Sequence, residues 1–362
     1  MRELYLICLI AFLTPIFLFA QEAAFSDFET SRFARAIGLG NAYTGVAEGI
    51  ETVYYNSAGL ARLNSYQAIY SNGNGFGFFD DVHTYDAAVV APLPGKAGTV
   101  AFSHHYTGMS FSSDYFHSKD DQSIYMLHLA KAFGNSLSAG VSFNYYHSRH
   151  ESTPVTVSDP PDGIITGNGF GINFSALYEL PFHIFAGLND RLRFGLQDQN
   201  LINTKVKYSI QDVKDFLPLM LRGGLSYRIV PLINKERNRQ IVSLLFAFEA
   251  VLLGADNSFN YWQPNYGIEL TLLEYLQLRF GRESEFEIDP VYSYSPQFPV
   301  NRFGFGVRLP VSELLHFGRQ LALQFDYNYS DWNQIDESGV RFLDGETGIN
   351  RSAFSIKLIT DL

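Results

Sequence analysis

The sequence predicts an all-β fold, an antiparallel transmembrane β-barrel of about 14 strands with a small helical plug at its N-terminus. Three observations carry that prediction. Apolar and polar residues alternate at period two. In 321–330, Leu321, Leu323, Phe325, Tyr327 and Tyr329 share one parity, while Ala322, Gln324, Asp326, Asn328 and Ser330 share the other. Successive strand side chains point to opposite faces, so such a segment is apolar on one side and polar on the other. Linkers alternate between tight and long, which separates periplasmic turns from surface loops in outer-membrane barrels and has less reason to occur in a β-sandwich. Finally, no run after residue 20 approaches the about 20 apolar residues that a spanning helix needs. Phe and Tyr number 32 and 22 against 4 Met, the aromatic excess of a barrel girdle. A chain of this kind crosses a membrane as strands.

Residues 1–20 read as a secretory signal peptide, with Arg2 in front, an apolar core from Leu4 to Phe19 broken by Thr14-Pro15, and small Ala20 before Gln21. Cys8, the only cysteine, lies within that core. A mature chain starting near Gln21 therefore has no thiol, which removes disulfides, thiolate metal sites and cysteine nucleophiles. The organisation that follows is a leader over 1–20, a plug over 21–63 and a barrel over 64–362.

Residues 32–63, RFARAIGLGNAYTGVAEGIETVYYNSAGLARL, are rich in Gly and Ala and contain two short helix-like pieces. Gly38, Gly40, Gly45 and Gly59 permit tight turns and close approach to a wall. Ala34, Ala36, Ile37, Leu39, Ala42 and Val46 give an apolar skin to a small volume, and Asn56 is suited to tie a turn through side-chain to backbone hydrogen bonds. This stretch resembles the plug of the FadL-like outer-membrane barrels, in particular the PorV/PorQ branch. That branch opens with an A-x-G-x-G element followed by an aromatic-Asn-Pro-Ala-Gly-Leu motif. The corresponding residues are Ala36, Gly38 and Gly40, then Tyr55, Asn56, Ser57, Ala58, Gly59 and Leu60. Ser57 stands where the family has Pro, which frees φ and restores a backbone N–H.

Strands are predicted at 64–72, 82–92, 96–106, 122–133, 136–150, 164–181, 190–199, 217–229, 239–252, 262–271, 273–282, 300–309, 319–330 and 350–361. Loops at 107–121, 151–163, 200–216, 283–299 and 331–349 are long and polar, whereas 93–95, 134–135 and the turn near Leu272 are tight. The outer loops, including 73–81 and 253–261, hold 20 of the 37 Asp/Glu and only 5 of the 26 Lys/Arg. The net charge of −11 therefore gathers at one end, which argues against nucleic acid as a partner, since phosphates need a basic surface. An acidic run such as Glu283, Glu285, Glu287 and Asp289 is a solvated loop or a bridge through divalent cations to lipid phosphates, and its spacing is not that of a calcium loop. The even-parity series Phe354, Ile356, Leu358, Thr360 and Leu362 makes the final strand amphipathic, although it ends on Leu rather than an aromatic residue.

No catalytic residue, metal site or cofactor emerges. Gly38-Leu39-Gly40 begins like a dinucleotide fingerprint, but Tyr43 occupies the third glycine position. His104 and His105 are adjacent and so point to opposite faces, which prevents them from chelating one metal. No G-x-S-x-G elbow occurs.

The polar parity directs Arg193, Gln197, Arg222, Arg228, Glu249, Glu269, Gln277, Arg279, Arg308, Gln324, Asp326 and Lys357 into the lumen. Buried charges must pair, so these form either a static network that fastens the plug or a path for a ligand's polar head. On the second reading Arg193, Arg222 and Arg279, with Glu249, are the lumenal ligand-binding candidates, because a guanidinium matches a carboxylate bidentately. Phe76, Phe78 and Phe79 are candidates for an outer hydrophobic lip or for the girdle. The family resemblance implies an outer-membrane location and transport of hydrophobic or amphipathic small molecules, fatty-acid-like in kind. It equally leaves open a PorV-like accessory role with secreted proteins of a type IX-like machine, or a purely structural role among outer-membrane lipids.

Overall fold

The computed structural model describes residues 33–74, 82–112, 116–154, 163–185, 189–200, 205–209, 214–217, 219–234, 239–255, 258–283, 286–287, 300–315, 320–331 and 350–361. The leader over 1–20 and Phe76, Phe78 and Phe79 lie outside these residues.

Fourteen long strands form the wall. They are β1 (Ser65–Asn74), β2 (Val82–Pro92), β3 (Thr99–Ser112), β4 (Phe116–Phe133), β5 (Leu137–Pro154), β6 (Gly163–Glu179) and β7 (Asn189–Gln199). Then follow β8 (Leu219–Asn234), β9 (Arg239–Ala255), β10 (Ser258–Leu272), β11 (Leu276–Glu283), β12 (Val300–Leu309), β13 (Leu321–Asp331) and β14 (Asn350–Asp361). Each pairs antiparallel with its neighbour in the chain, and β1 closes on β14 from Ser65↔Asp361 to Gly73↔Ala353. Closure satisfies the backbone polar groups that an open edge would leave bare in hydrocarbon.

The alternation seen in the sequence sets which face is which. Phe303, Phe305, Phe325, Tyr327, Phe354, Ile356 and Leu358 are exposed on the outside. Their parity partners Arg302, Gln324, Asp326, Ser355 and Lys357 are buried inside. Such an apolar skin around a closed wall is stable against lipid, not water. Outward rings also meet across strands: Tyr85 stacks on Tyr106 at 4.6 Å and His104 on Tyr125 at 4.4 Å between centroids. Among the described residues no helix is long and apolar enough to cross a membrane. The chain is a closed β-barrel whose apolar outer face suits a wall that spans a membrane with its strands.

Strand ends differ from expectation where the segments rise beyond the hydrocarbon. β3 and β4 continue through most of the predicted loop 107–121, pairing as far as Ser112↔His117, and β5 runs into the predicted loop 151–163. Both faces of these extensions meet water, so residues such as Lys119, Asp120 and Asp121 lack the alternation that marks a spanning strand. The predicted loop 200–216 contains a hairpin, Lys205–Tyr208 with Lys214–Phe216. The turn after β10 is Leu273-Glu274-Tyr275, with Leu273 and Glu274 at φ of 54° and 65°. Hairpin turns of that hand usually carry Asn or Gly, and the strand predicted from 273 begins instead at Leu276.

Inside the barrel lies the segment 33–63, built of α1 (Ala34–Gly38), α2 (Thr52–Tyr55) and a 3₁₀ helix over Ser57–Arg62. Helices of 4–6 residues have no stability of their own. Packing against the wall holds them.

Candidate functional site

The lumenal segment is anchored first by shape. Gly40 takes a left-handed φ of 63°, and a Cβ there would stand 2.6 Å from the Arg282 backbone nitrogen. Opposite it, Gly267 and Gly281 on β10 and β11 leave room for the Leu39–Gly40 backbone, and a Cβ at Gly45 would lie 2.6 Å from Leu225 N on β8. Gly195 and Gly224 accept the Thr44–Gly45 backbone in the same way. These wall glycines are a feature that sequence reasoning missed. All lie on the inward parity of their strands, the available signal.

Hydrogen bonds then fix the turns. The Asn56 amide donates to Thr44 O at 2.9 Å and to Ala176 O on β6 at 3.0 Å, while its oxygen accepts from Ala58 N–H at 3.2 Å. Ala58 N–H also donates to Ser175 Oγ at 2.9 Å, and the Ser57 hydroxyl meets Ser175 Oγ at 2.8 Å. At the position where the resembled family has Pro, the serine hydroxyl thus joins the segment to the wall. Gly59 packs closely on Ala47 and Thr52, and Gly38 on Arg279 and Gly304.

Charge completes the anchoring. Glu249 Oε2 accepts from the Tyr43 and Thr44 N–H groups at 2.9 and 2.7 Å, and Oε1 takes Arg222 at 2.8 Å. Arg222 also lies 5.6 Å over the Tyr55 ring. Arg35 forks onto Glu269 at 2.9 and 2.8 Å, and Arg279 reaches Glu269 and Asp326 at 2.7 Å each. Glu48, from the segment itself, receives Arg35, Arg193 and Arg228 at 3.2, 3.1 and 2.6 Å. Burial would raise the Glu48 carboxyl, but Arg228, Arg193 and Arg35 outweigh it and hold it at about 2. Lys357 pairs with Glu51 at 2.6 Å.

All three arginines chosen from the sequence as carboxylate binders are therefore occupied by internal partners. Arg193 donates to Glu179, Val46 O and Glu48. Arg193, Arg222, Arg279 and Glu249 come together as fasteners of the segment. Its own carboxylates, Glu48 and Glu51, were not singled out in the sequence because parity arguments apply only to strands.

The two adjacent histidines separate as expected. His104 is outside against Tyr125, whereas His105 is inside with Asp86 at 2.7 Å. Among the described residues no group of three His, Cys, Asp or Glu is placed to hold a metal.

Two further features bear on passage through the barrel. Between the base of the segment and the short-turn end is a polar chamber of about 490 Å³, lined among others by Arg35, Glu48, Arg228, Gln277, Arg308 and Lys357. Among the described residues, the shortest paired seam of the wall is that between β6 and β7. Those strands pair only from Phe174↔Asp198 to Glu179↔Arg193, although β6 begins at Gly163. Above Phe174 the cross-strand register of that edge is with Lys207 and Tyr208. Just past the end of β7, Asn200 has a φ of 63° and its Oδ1 accepts from Tyr146 Oη at 2.7 Å. The hairpin that follows buries Val206 with Phe33, Tyr54 and Tyr146.

The architecture is thus a closed, lipid-facing barrel with an ordered segment across its lumen. No protein-family model matches the chain, and no curated protein does. Among solved structures it is similar to the CymD monoaromatic hydrocarbon channel, with TM-score 0.55 and 9% identity over 92% of this chain and 98% of that one. A Pseudomonas aeruginosa FadL homologue follows at TM-score 0.48, 10% identity and coverage of 92% and 98%. The P. putida toluene transporter TodX stands at 0.49, 9% identity and coverage of 87% and 94%. At such identities the likeness is one of fold, and the CymD match carries it.

Proposed function

We propose that this barrel passes hydrophobic or amphipathic small molecules across the outer membrane, by way of the wall between β6 and β7. The observation that carries the reading is the combination of an occupied lumen with a short β6–β7 seam. A water-borne solute moving along the axis meets the segment 33–63, which is buried and ion-paired on one side and packed on apolar side chains on the other. An apolar solute gains nothing from an aqueous axis but loses little in moving between a bilayer and a gap in the wall. The CymD structure, at TM-score 0.55, is described as a monoaromatic hydrocarbon channel, which supports the same class of cargo.

Proteoliposomes test this directly. The barrel should raise the entry of labelled toluene or octanol while giving no swelling with small sugars. Sugar flux like that of an open pore, or hydrocarbon entry no faster than in empty vesicles, would overturn the reading.

A further inference from the structure

The arginines that fasten the lumenal segment are all engaged, whereas Arg308, also lumenal, has no side-chain partner among the described residues. We propose that the chamber at the short-turn end is a binding site for a single carboxylate or phosphate group, with Arg308 as its main charge. The cations lining the chamber are Arg35, Arg191, Arg228, Arg308 and Lys357, and the carboxylates are Glu48, Glu269 and Glu274. Arg35 and Arg228 are committed to Glu48 and Glu269, and Arg191 lies 3.4 Å from Glu179. Glu274 accepts from the Gln240 N–H at 2.7 Å.

Arg308 has no side-chain partner among the described residues and extends from β12 into open space. Its register neighbour on β13 is Gln324, and the next in that row, on β14, is Lys357. Two strand spacings set the backbones of Arg308 and Lys357 about 10 Å apart, a gap that two long cationic side chains can close. Lys357 spends one of its three N–H donors on Glu51 and keeps two. Gln324 between them turns its amide N–H groups to Asp326 and Gln277, so the row presents no carboxylate between its cations.

The chamber thus combines surplus positive charge, a free planar fork and amide-rich walls. A guanidinium fork binds a carboxylate or phosphate with two parallel hydrogen bonds, and the exposed Arg308 is accessible to one. The ligand's remainder would lie in about 490 Å³, room for a short-chain amphiphile as well as for a free anion. The site stands whether or not the barrel transports anything.

Calorimetry on the full chain in a non-ionic detergent decides it, with octanoate, octanol and inorganic phosphate as probes. Octanoate should bind at least about tenfold more tightly than octanol, and Arg308→Gln should bring it to the level of octanol. Arg308→Lys should restore part of the difference, because charge returns without the fork. Arg149→Gln, on β5 and outside the chamber lining, should leave octanoate binding unchanged. Phosphate that displaces octanoate at similar concentration marks a free-anion site, and phosphate that fails to displace it marks an amphiphile head; both accord with the chemistry proposed. Octanoate that fails to bind, binds no better than octanol, survives Arg308→Gln within about twofold, or is lost equally in Arg149→Gln would overturn it. Failure of hydrocarbon entry into proteoliposomes with this binding intact would remove the transport reading alone.

Discussion

The two halves of the lumen wall hold the same segment by different physics. The inner face of β1–β6 presents Ile69, Ala88, Val90, Ala101, Ile124 and Met126, with Ser and Asn between them, and its fully buried charge is Asp86 against His105. The inner face of β7–β14 presents Arg193, Glu249, Glu269, Arg279, Asp326 and Lys357, all buried and all paired. On the first side, Phe33, Val53, Tyr54 and Leu60 of the segment join one apolar cluster with the wall. On the second, Arg35, Glu48 and Glu51 enter the charge network. Apolar contact is tolerant of small shifts, whereas a buried ion pair fixes position, because a charge that loses its partner is heavily penalised. The charged half sets where the segment sits; the apolar half fills the space behind it.

Breaking the charged side should therefore have the greatest effect. Glu269→Gln leaves Arg35 and Arg279 without their shared carboxylate, and the segment should lose about 3–5 kcal/mol of its seating free energy, read as hydrogen exchange of amides in 33–63. On the apolar side, Ile124→Ala should cost about 2–4 kcal/mol, from lost burial and the cavity left behind, without moving the segment. If Ile124→Ala loosened the segment more than Glu269→Gln did, the asymmetry drawn here would be wrong. At the junction between the halves, Asn56→Ala removes a capping acceptor and two donors, and about 1 kcal/mol is expected, with protection lost chiefly across 56–60.

Acid gives the smallest change, and none near neutrality. The Glu48 carboxyl is held at about 2, below its ordinary value of 4.5, so its contribution is complete above the ordinary value. That contribution fades as the pH falls from about 4.5 towards about 2. Exchange in 33–63 should rise over that window in the wild type, and Glu48→Gln should reduce the dependence. A rise already present at pH 6 would place the titrating group elsewhere.

Several parts of this arrangement could be read before the fold was known. Alternation along 300–309 and 321–330 gave both the strands and the side on which Arg308, Gln324 and Asp326 would lie, because a strand's two faces are fixed by its own period of two. The motif at Tyr55–Leu60 marked a compact turn, and Asn56 does bind the backbone on both sides of it. Less legible was the choice among the arginines. Arg193, Arg222, Arg279 and Arg308 look alike in sequence, each being a cation on an inward parity. Among the described residues three of them meet carboxylates and Arg308 does not, a difference created by the heights at which Glu48, Glu249, Glu269 and Asp326 arrive.

The amino-acid sequence by itself determined that the chain makes about 14 amphipathic strands with an apolar outer skin and a small, glycine-rich segment before them. Those properties are local, set by spacing within ten residues or so of each other. Only the closed tertiary structure decided which charges are spent, how long each strand seam runs and which lumenal arginine, among the described residues, keeps no carboxylate partner. Pairing in a barrel depends on the register of each strand against the next and on where an inserted segment meets them, and charges such as Arg35 and Glu269, 234 residues apart, find each other only when the cylinder has closed.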